Sequence, residues 1–302
     1  MGRAIYVSSV NGDDANSGYA PEKAFRSLRK VNQMEIQPGD QILLERGSVF
    51  VGEYLHLYRG GTKEAPVVVD AYGEGALPRI ETDGNGIWYQ NYGGHLDNVV
   101  HIWKGYLSSA VLLYDAEYIS IRNLEITNNP CVQNERLNQA DRMNRTGVSV
   151  IAKNHGTLHE IELDHLYIHD VEGNIYDKHL NNGGIYMSVS RPDDEEKTGI
   201  ARYDGIHIHH CKVENCRRWG IAAGYTYQHD KFTTLELPDE VVKAYGSTNV
   251  VIEHNFVKDI GGDGITPMYC FEPLIQYNVS ENIAVDIHPD LYNEEGNRGG
   301  MT

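Results

Sequence analysis

The feature that most constrains this chain is a repeat of about 23 residues carrying two signatures. Residues 119–127, 161–169, 206–214, 250–258 and 273–281 align as short stretches of alternating apolar and polar residues. Their third position is always aliphatic: Ile121, Leu163, Ile208, Ile252 and Ile275. Their sixth is Leu124, Leu166, Cys211, Asn255 or Asn278. Glycine followed by an aliphatic residue recurs at Gly147, Gly184, Gly220, Gly264 and Gly300. Ile208 to Gly220 and Ile252 to Gly264 are each 12 residues, and Ile252 to Ile275 is 23. That unit is too short for a propeller blade and lacks the leucine pattern of a leucine-rich repeat. Two short strands with glycine at the bends fit one coil of a parallel β-helix, an all-β solenoid in which each coil buries its inward residues only by stacking on its neighbours.

Measured against that coil, excess residues stand out as insertions. There are 21 between Gly220 and Ile252, 14 between Ile121 and Gly147, and 13 each between Gly184 and Ile208 and between Ile275 and Gly300. Long loops at solenoid bends build binding faces, although the longest could equally hold further degenerate coils. Residues 1–100 read as an N-terminal cap and opening coils, and 101–302 as the coils of one continuous solenoid. Pro21 begins a stretch that sets Ala24, Phe25, Leu28 and Val31 at helical spacing, which predicts an amphipathic capping helix over 21–31. The C-terminus stops two residues into a new glycine-aliphatic signature, so the expectation there is a solenoid cut in mid-course.

Charge narrows the partners. Lys and Arg number 26 against 43 Asp and Glu, a net charge of −17, which argues against nucleic acid or an anionic membrane as the main partner. No apolar run approaches the ~18 residues that span a bilayer. Cys131, Cys211, Cys216 and Cys270 form no CxxC pair, so buried thiols are expected, with a single isolated disulfide as the alternative. Met1-Gly2-Arg3 runs directly into a strand-like segment with no leader. An exported protein (secreted, periplasmic or at the cell surface) shown without its leader is expected, with a cytoplasmic location as the alternative.

Aligning coils turns the sequence into columns of residues ~4.8 Å apart. Two before the repeating glycine stand Arg145, Asn182, Arg218, Gly262 and Arg298; one before it stand Thr146, Gly183, Trp219, Asp263 and Gly299. Recurrent arginines suit bidentate capture of sugar carboxylates or sulfates, unless each pairs with a nearby acid. Asp263, between two glycines, is either an acid–base group or a turn residue bonding its own backbone. Tyr225 and Tyr227, with His229 and Asp230, read as a substrate wall. Lys178 and His179 on the preceding insertion offer a base. Asp286 and Asp290 fit a hard cation such as Ca²⁺ in composition, without EF-hand spacing. His207, His209 and His210 suggest zinc, but alignment sets them in polar ladders instead: His209 with Arg122, Asp164, Glu253 and Gln276, and His210 with Asn123, His165, His254 and Tyr277. Asn255, Asn278 and Cys211 share an inward column that suits an asparagine ladder.

Two stretches resemble a known group. Tyr6-Val7-Ser8, Asn11 to Gly18, Pro21, Ala24-Phe25, Pro38 to Leu44 and Ala71-Tyr72-Gly73 are similar to the N-terminal module of secreted glycan-degrading enzymes of the right-handed parallel β-helix, pectate-lyase-like superfamily. Ile260-Gly-Gly-Asp-Gly-Ile265 resembles a coil motif of the same group. The resemblance implies a carbohydrate-active enzyme with a polysaccharide or oligosaccharide substrate, and leaves its chemistry open. A lyase would use the arginines, with or without Ca²⁺, to neutralise a uronate while Lys178, His179, His229 or an arginine abstracts a proton. A hydrolase would pair Asp263 with Asp230 or Asp286. A non-catalytic, adhesin-like glycan binder is the third reading. The arginine column tilts the expectation slightly toward the lyase.

Overall fold

The computed structural model describes residues 2–94, 103–130, 143–174, 180–233 and 236–286. Its strands form three parallel sheets of eight, seven and seven strands. The chain visits them in cyclic order: Ile119–Arg122 lies in the first sheet, Glu125–Asn128 in the second, Arg145–Ala152 in the third, and Thr157–Asp164 returns to the first beside Ile119–Arg122. The one antiparallel pairing among the described strands sets Ile87–Asn91 against Lys104–Tyr114 at the margin of the third sheet.

The repeat positions fall in register. Ile121 pairs with Leu163, Leu163 with Ile208, Ile208 with Ile252 and Ile252 with Ile275 along the first sheet. Val148, Ile185, Ile221 and Ile265 do the same along the third. Together with Ile126, Ile168, Val213 and Val257 of the second sheet they fill one continuous core. The glycines before the third-sheet aliphatics are there for space. A Cβ on Gly220 would meet Gly264 O at 2.4 Å and Val257 Cγ1 at 2.6 Å, and one on Gly184 would meet Val213 Cγ1 at 2.4 Å. The second-sheet valines pack where those Cβ atoms would stand.

Each circuit holds three strands where the spacing predicts two. The extra one, such as Tyr167–Val171 or Lys212–Cys216, hides because its alternation breaks. Asp170 and Asn215 take positive φ (52° and 51°), so the buried positions are Ile168 and Val171, or Val213 and Cys216, three apart instead of two. A second left-handed column closes each first-sheet strand: Asn123, His165, His210, His254 and Tyr277, with φ between 49° and 57°. Asn and His bear that conformation more readily than most residues. The rings stack along the column, with centroids 4.9 Å apart for His165–His210, 5.1 Å for His210–His254 and 4.9 Å for His254–Tyr277.

The asparagine ladder is present. Asn255 Oδ1 accepts from Cys211 N at 2.9 Å, its Nδ2 donates to Ile208 O at 2.9 Å, and Asn278 repeats the pattern against Asn255 N and Ile252 O. Cys211, Cys216 and Cys270 are free thiols. Cys131 lies outside the described residues. The capping helix is shorter than expected, only Leu28–Asn32, after a single 3-10 turn at Pro21–Lys23. Phe25 is diverted: its N–H donates to Tyr6 O and its carbonyl accepts from Ser8 N, which extends the first sheet. Leu28 and Val31 still close the core. No helix among the described residues is long and apolar enough to cross a membrane.

Candidate active site

Leaving a second-sheet strand, the chain turns sharply into the third sheet, and this corner gathers charge on successive circuits. Val171 pairs with Cys216 and Cys216 with Ile260, so Glu172, Arg217 and Gly261 follow on adjacent turns. Arg217 Nε donates to Glu172 Oε2 at 3.1 Å, and its Nη1 donates to Asp286 Oδ2. Asp286 arrives from the next circuit, its N–H bound to Gly261 O at 3.1 Å. A Cβ on residue 261 would lie 2.9 Å from Asp286 Oδ2 and 3.2 Å from Arg218 N, so glycine there lets the carboxylate cross to the guanidinium. Burial opposes the charge on Arg217, but Glu172 and then Asp286 more than compensate and raise its pKa.

The next column is the arginine column read from the sequence. Arg145, Asn182 and Arg218 follow one another, because Thr146 pairs with Gly183 and Ile185 with Ile221. Asn182 separates the two cations, with its Oδ1 3.5 Å from Arg145 N. Arg145 Nη1 donates to Glu172 O at 2.9 Å, while Arg218 Nη1 lies 3.7 Å from Asp263 Oδ2 and its guanidinium sits 4.3 Å from the Trp219 ring centroid. Arg145, Asn182, Arg218, Trp219 and Asp263 are all buried, so these arginines face the protein's own acids and carbonyls rather than solvent. Arg218 also carries a positive φ of 65°, an uncommon backbone state for a long side chain. The Trp219 Nε1 is buried without a hydrogen-bond partner beside Asp263's turn.

Other expected site residues lie elsewhere. Trp219–Thr226 is eight residues long and Asp263 pairs with its first residue, whereas Asp230 follows its far end. At roughly 3.3 Å per residue the strand alone puts about 23 Å between them, too far for a carboxylate pair. Asp230 is exposed and faces Lys231, and His229 Nδ1 contacts the Tyr269 hydroxyl. Tyr225 and Tyr227 form no sugar platform. Tyr225 is buried edge-on between Tyr92 and Tyr269, and Tyr227 OH donates to Glu195 Oε2 at 2.7 Å. Asp286 is engaged by the Arg217 guanidinium. Lys178, His179, Asp290 and Arg298 lie outside the described residues. Of the two hydrolase pairs, the fold brings Asp286 and not Asp230 to the corner of Asp263. Sequence reasoning missed Glu172 and Arg217; extending the columns to the residue after each second-sheet strand would have aligned them.

No protein-family model matches the chain. It is similar to a lacto-N-biosidase from Bifidobacterium longum subsp. longum, 39% identical over 335 residues that cover 99% of this chain and 21% of that protein. The crystal structure of a GH136 lacto-N-biosidase from Eubacterium ramulus superposes on 99% of the chain, with 52% identity and a TM-score of 0.95, and its selenomethionine form gives 0.94. The chain spans about half the length of that solved relative, 49% of it, and about a fifth of the curated one. These likenesses correct the expected membership of the pectate-lyase-like superfamily: the proteins that match this chain at 39% and 52% identity are lacto-N-biosidases.

Proposed function

We propose that this chain carries the glycan-cleaving part of a glycoside hydrolase that releases lacto-N-biose, a disaccharide, from the end of an oligosaccharide. The observation that carries the reading is the likeness to two lacto-N-biosidases over 99% of the chain, the solved one at 52% identity. The lyase expectation rested on arginines free to grip a uronate, and Arg145 and Arg218 are buried against the protein's own groups. We place the chemistry at the corner between the second and third sheets, with Glu172 and Asp263 as its carboxylates. Their guanidinium partners, Arg217 and Arg218, are consecutive residues on the intervening turn and fix where the two carboxyl groups sit. The three sheets we read as the faces of a right-handed parallel β-helix. The cyclic strand order supports it, as does the strong preference for right-handed crossovers between parallel strands.

The test is disaccharide release from a chromogenic lacto-N-bioside by the wild type and by Glu172→Gln and Asp263→Asn. The reading expects kcat to fall at least about 100-fold in each variant, with urea midpoints near the wild type. Wild-type release that both variants leave unchanged would move the chemistry away from this corner. A folded chain that binds the glycan and releases nothing would leave it a binding segment.

A further inference from the structure

At another corner, where first-sheet strands end, two dipeptides meet: Asp164-His165 and His209-His210. Asp164 pairs with His209 in the sheet, and the positive φ of His165 and His210 swings each ring beside the side chain that precedes it. We propose that this corner binds one divalent transition-metal ion of the zinc class, held by Asp164 Oδ1 and the Nδ1 atoms of His209 and His210, with His165 as the fourth ligand.

The donors are already gathered. Asp164 Oδ1 lies 3.0 Å from His209 Nδ1 and 3.9 Å from His210 Nδ1, and the two nitrogens are 2.9 Å apart. His165 Nδ1 is 2.5 Å from the same oxygen. A tetrahedral ion with bonds near 2.0–2.1 Å separates its ligand atoms by roughly 3.3 Å, so shifts of a fraction of an ångström to about 1 Å bring these spacings to that value, while His165, stacked on His210 with centroids 4.9 Å apart, must also rotate to turn its Nδ1 to the ion.

An independent contact favours metal. His209 Nε2 lies 3.3 Å from Glu162 Oε1, and Glu162 Oε2 in turn accepts from Ser120 Oγ at 2.6 Å. A carboxylate on the far nitrogen fixes the tautomer that leaves the Nδ1 lone pair facing the other donors, the arrangement that orients histidine ligands in metal sites. Three nitrogens and one oxygen select zinc, nickel or copper over calcium or magnesium. His209 and Asp164 are sunk into the surface, at 14% and 17% exposure, while His165 and His210 at 57% and 48% form an open rim through which an ion can arrive. The turns on either side lack the set, with Arg122-Asn123 below and Glu253-His254 above. Bound there, the ion would clip two successive circuits and stabilise the fold by mass action.

Tag-free, chelator-treated protein titrated with Co²⁺ should show tetrahedral visible absorption saturating at one ion per chain, displaced by Zn²⁺, and its melting temperature should rise with Zn²⁺ concentration. His210→Asn, with a residue that the same column already holds at position 123, and Asp164→Asn should each weaken Co²⁺ binding at least tenfold. His207→Asn should leave it unchanged. The metal-free melting of each variant reports its fold, and His165→Asn replaces any that fails to fold. Absence of stoichiometric Co²⁺ binding overturns the proposal. So does loss of binding in His207→Asn with retention in His210→Asn, which would put the ion on Glu162, His207 and His209, a neighbouring trio whose donor atoms lie within 4.8 Å of one another.

Discussion

Asn255→Ala should cost about 3 kcal/mol. The asparagine side chain serves two buried backbone groups at a corner, accepting from Cys211 N and donating to Ile208 O, both at 2.9 Å. It also donates to Asn278 Oδ1 at 3.0 Å. Alanine leaves the amide of Cys211 and the carbonyl of Ile208 facing apolar surroundings, and each orphaned buried group costs about 1–3 kcal/mol. The third bond adds little, because Asn278 Oδ1 keeps its bond from Asn255 N. Asn255→Leu separates polarity from volume. Leucine occupies the same column at Leu124 and Leu166, so it fits the space but cannot serve Cys211 N. The loss should therefore persist in the leucine variant. Urea unfolding supplies the free energies, and amide exchange at Cys211 should accelerate in both variants while amides several circuits away hold. A leucine variant within about 0.5 kcal/mol of the wild type would refute the ladder as a source of stability.

Three further outcomes follow from the same contacts. His56 is buried with Nε2 on Ser109 O at 2.9 Å, and burial pushes its pKa down to about 4. The unfolded chain takes up this proton near pH 6.5 and the folded chain only near 4, so falling pH favours unfolding across that window by up to roughly 3 kcal/mol; in urea melts, His56→Gln should remove that part of the pH slope. Gly220→Ala drives a methyl to 2.4 Å from Gly264 O and should cost at least about 2 kcal/mol by thermal melting, with no compensation available from a rotamer change. Arg217→Met strands Glu172 and Asp286, both mostly buried, and should lose about 3 kcal/mol in urea, more than Arg217→Lys, which keeps the charge.

Much of the molecule was legible because stacking imposes strict columns. Ile121, Leu163, Ile208 and Ile252 had to share one face, and Gly147, Gly184 and Gly220 before third-sheet aliphatics are required by a close approach that a Cβ would block. Asn255 and Asn278 announced a ladder because an inward polar residue must find partners. What stayed hidden has local causes. The second-sheet strands escape a period-2 reading because a left-handed residue, Asp170 or Asn215, sits inside each. The helix expected from Pro21 was cut short because Phe25 finds backbone partners on Tyr6 and Ser8, a long-range pairing that spacing cannot reveal. Tyr225 and Tyr227 looked like a sugar platform because aromatic residues serve cores and ligands alike. Arg217 was overlooked because the columns were drawn from the glycine signature, one residue too far along, and Glu172 because it stands 12 residues before Gly184 instead of three. The family resemblance failed for a related reason: motifs shared by stacked parallel strands report the stacking, whereas the likeness to lacto-N-biosidases spans the whole chain.

Hydrolysis is tested most directly by running the reaction on a lacto-N-biose-capped oligosaccharide in ¹⁸O-labelled water and weighing the released disaccharide. Attack by water predicts one ¹⁸O at its reducing carbon and no new ultraviolet absorbance, with release lost in Asp263→Asn. Release of a disaccharide without the label, or accompanied by absorbance of an unsaturated sugar, would contradict it.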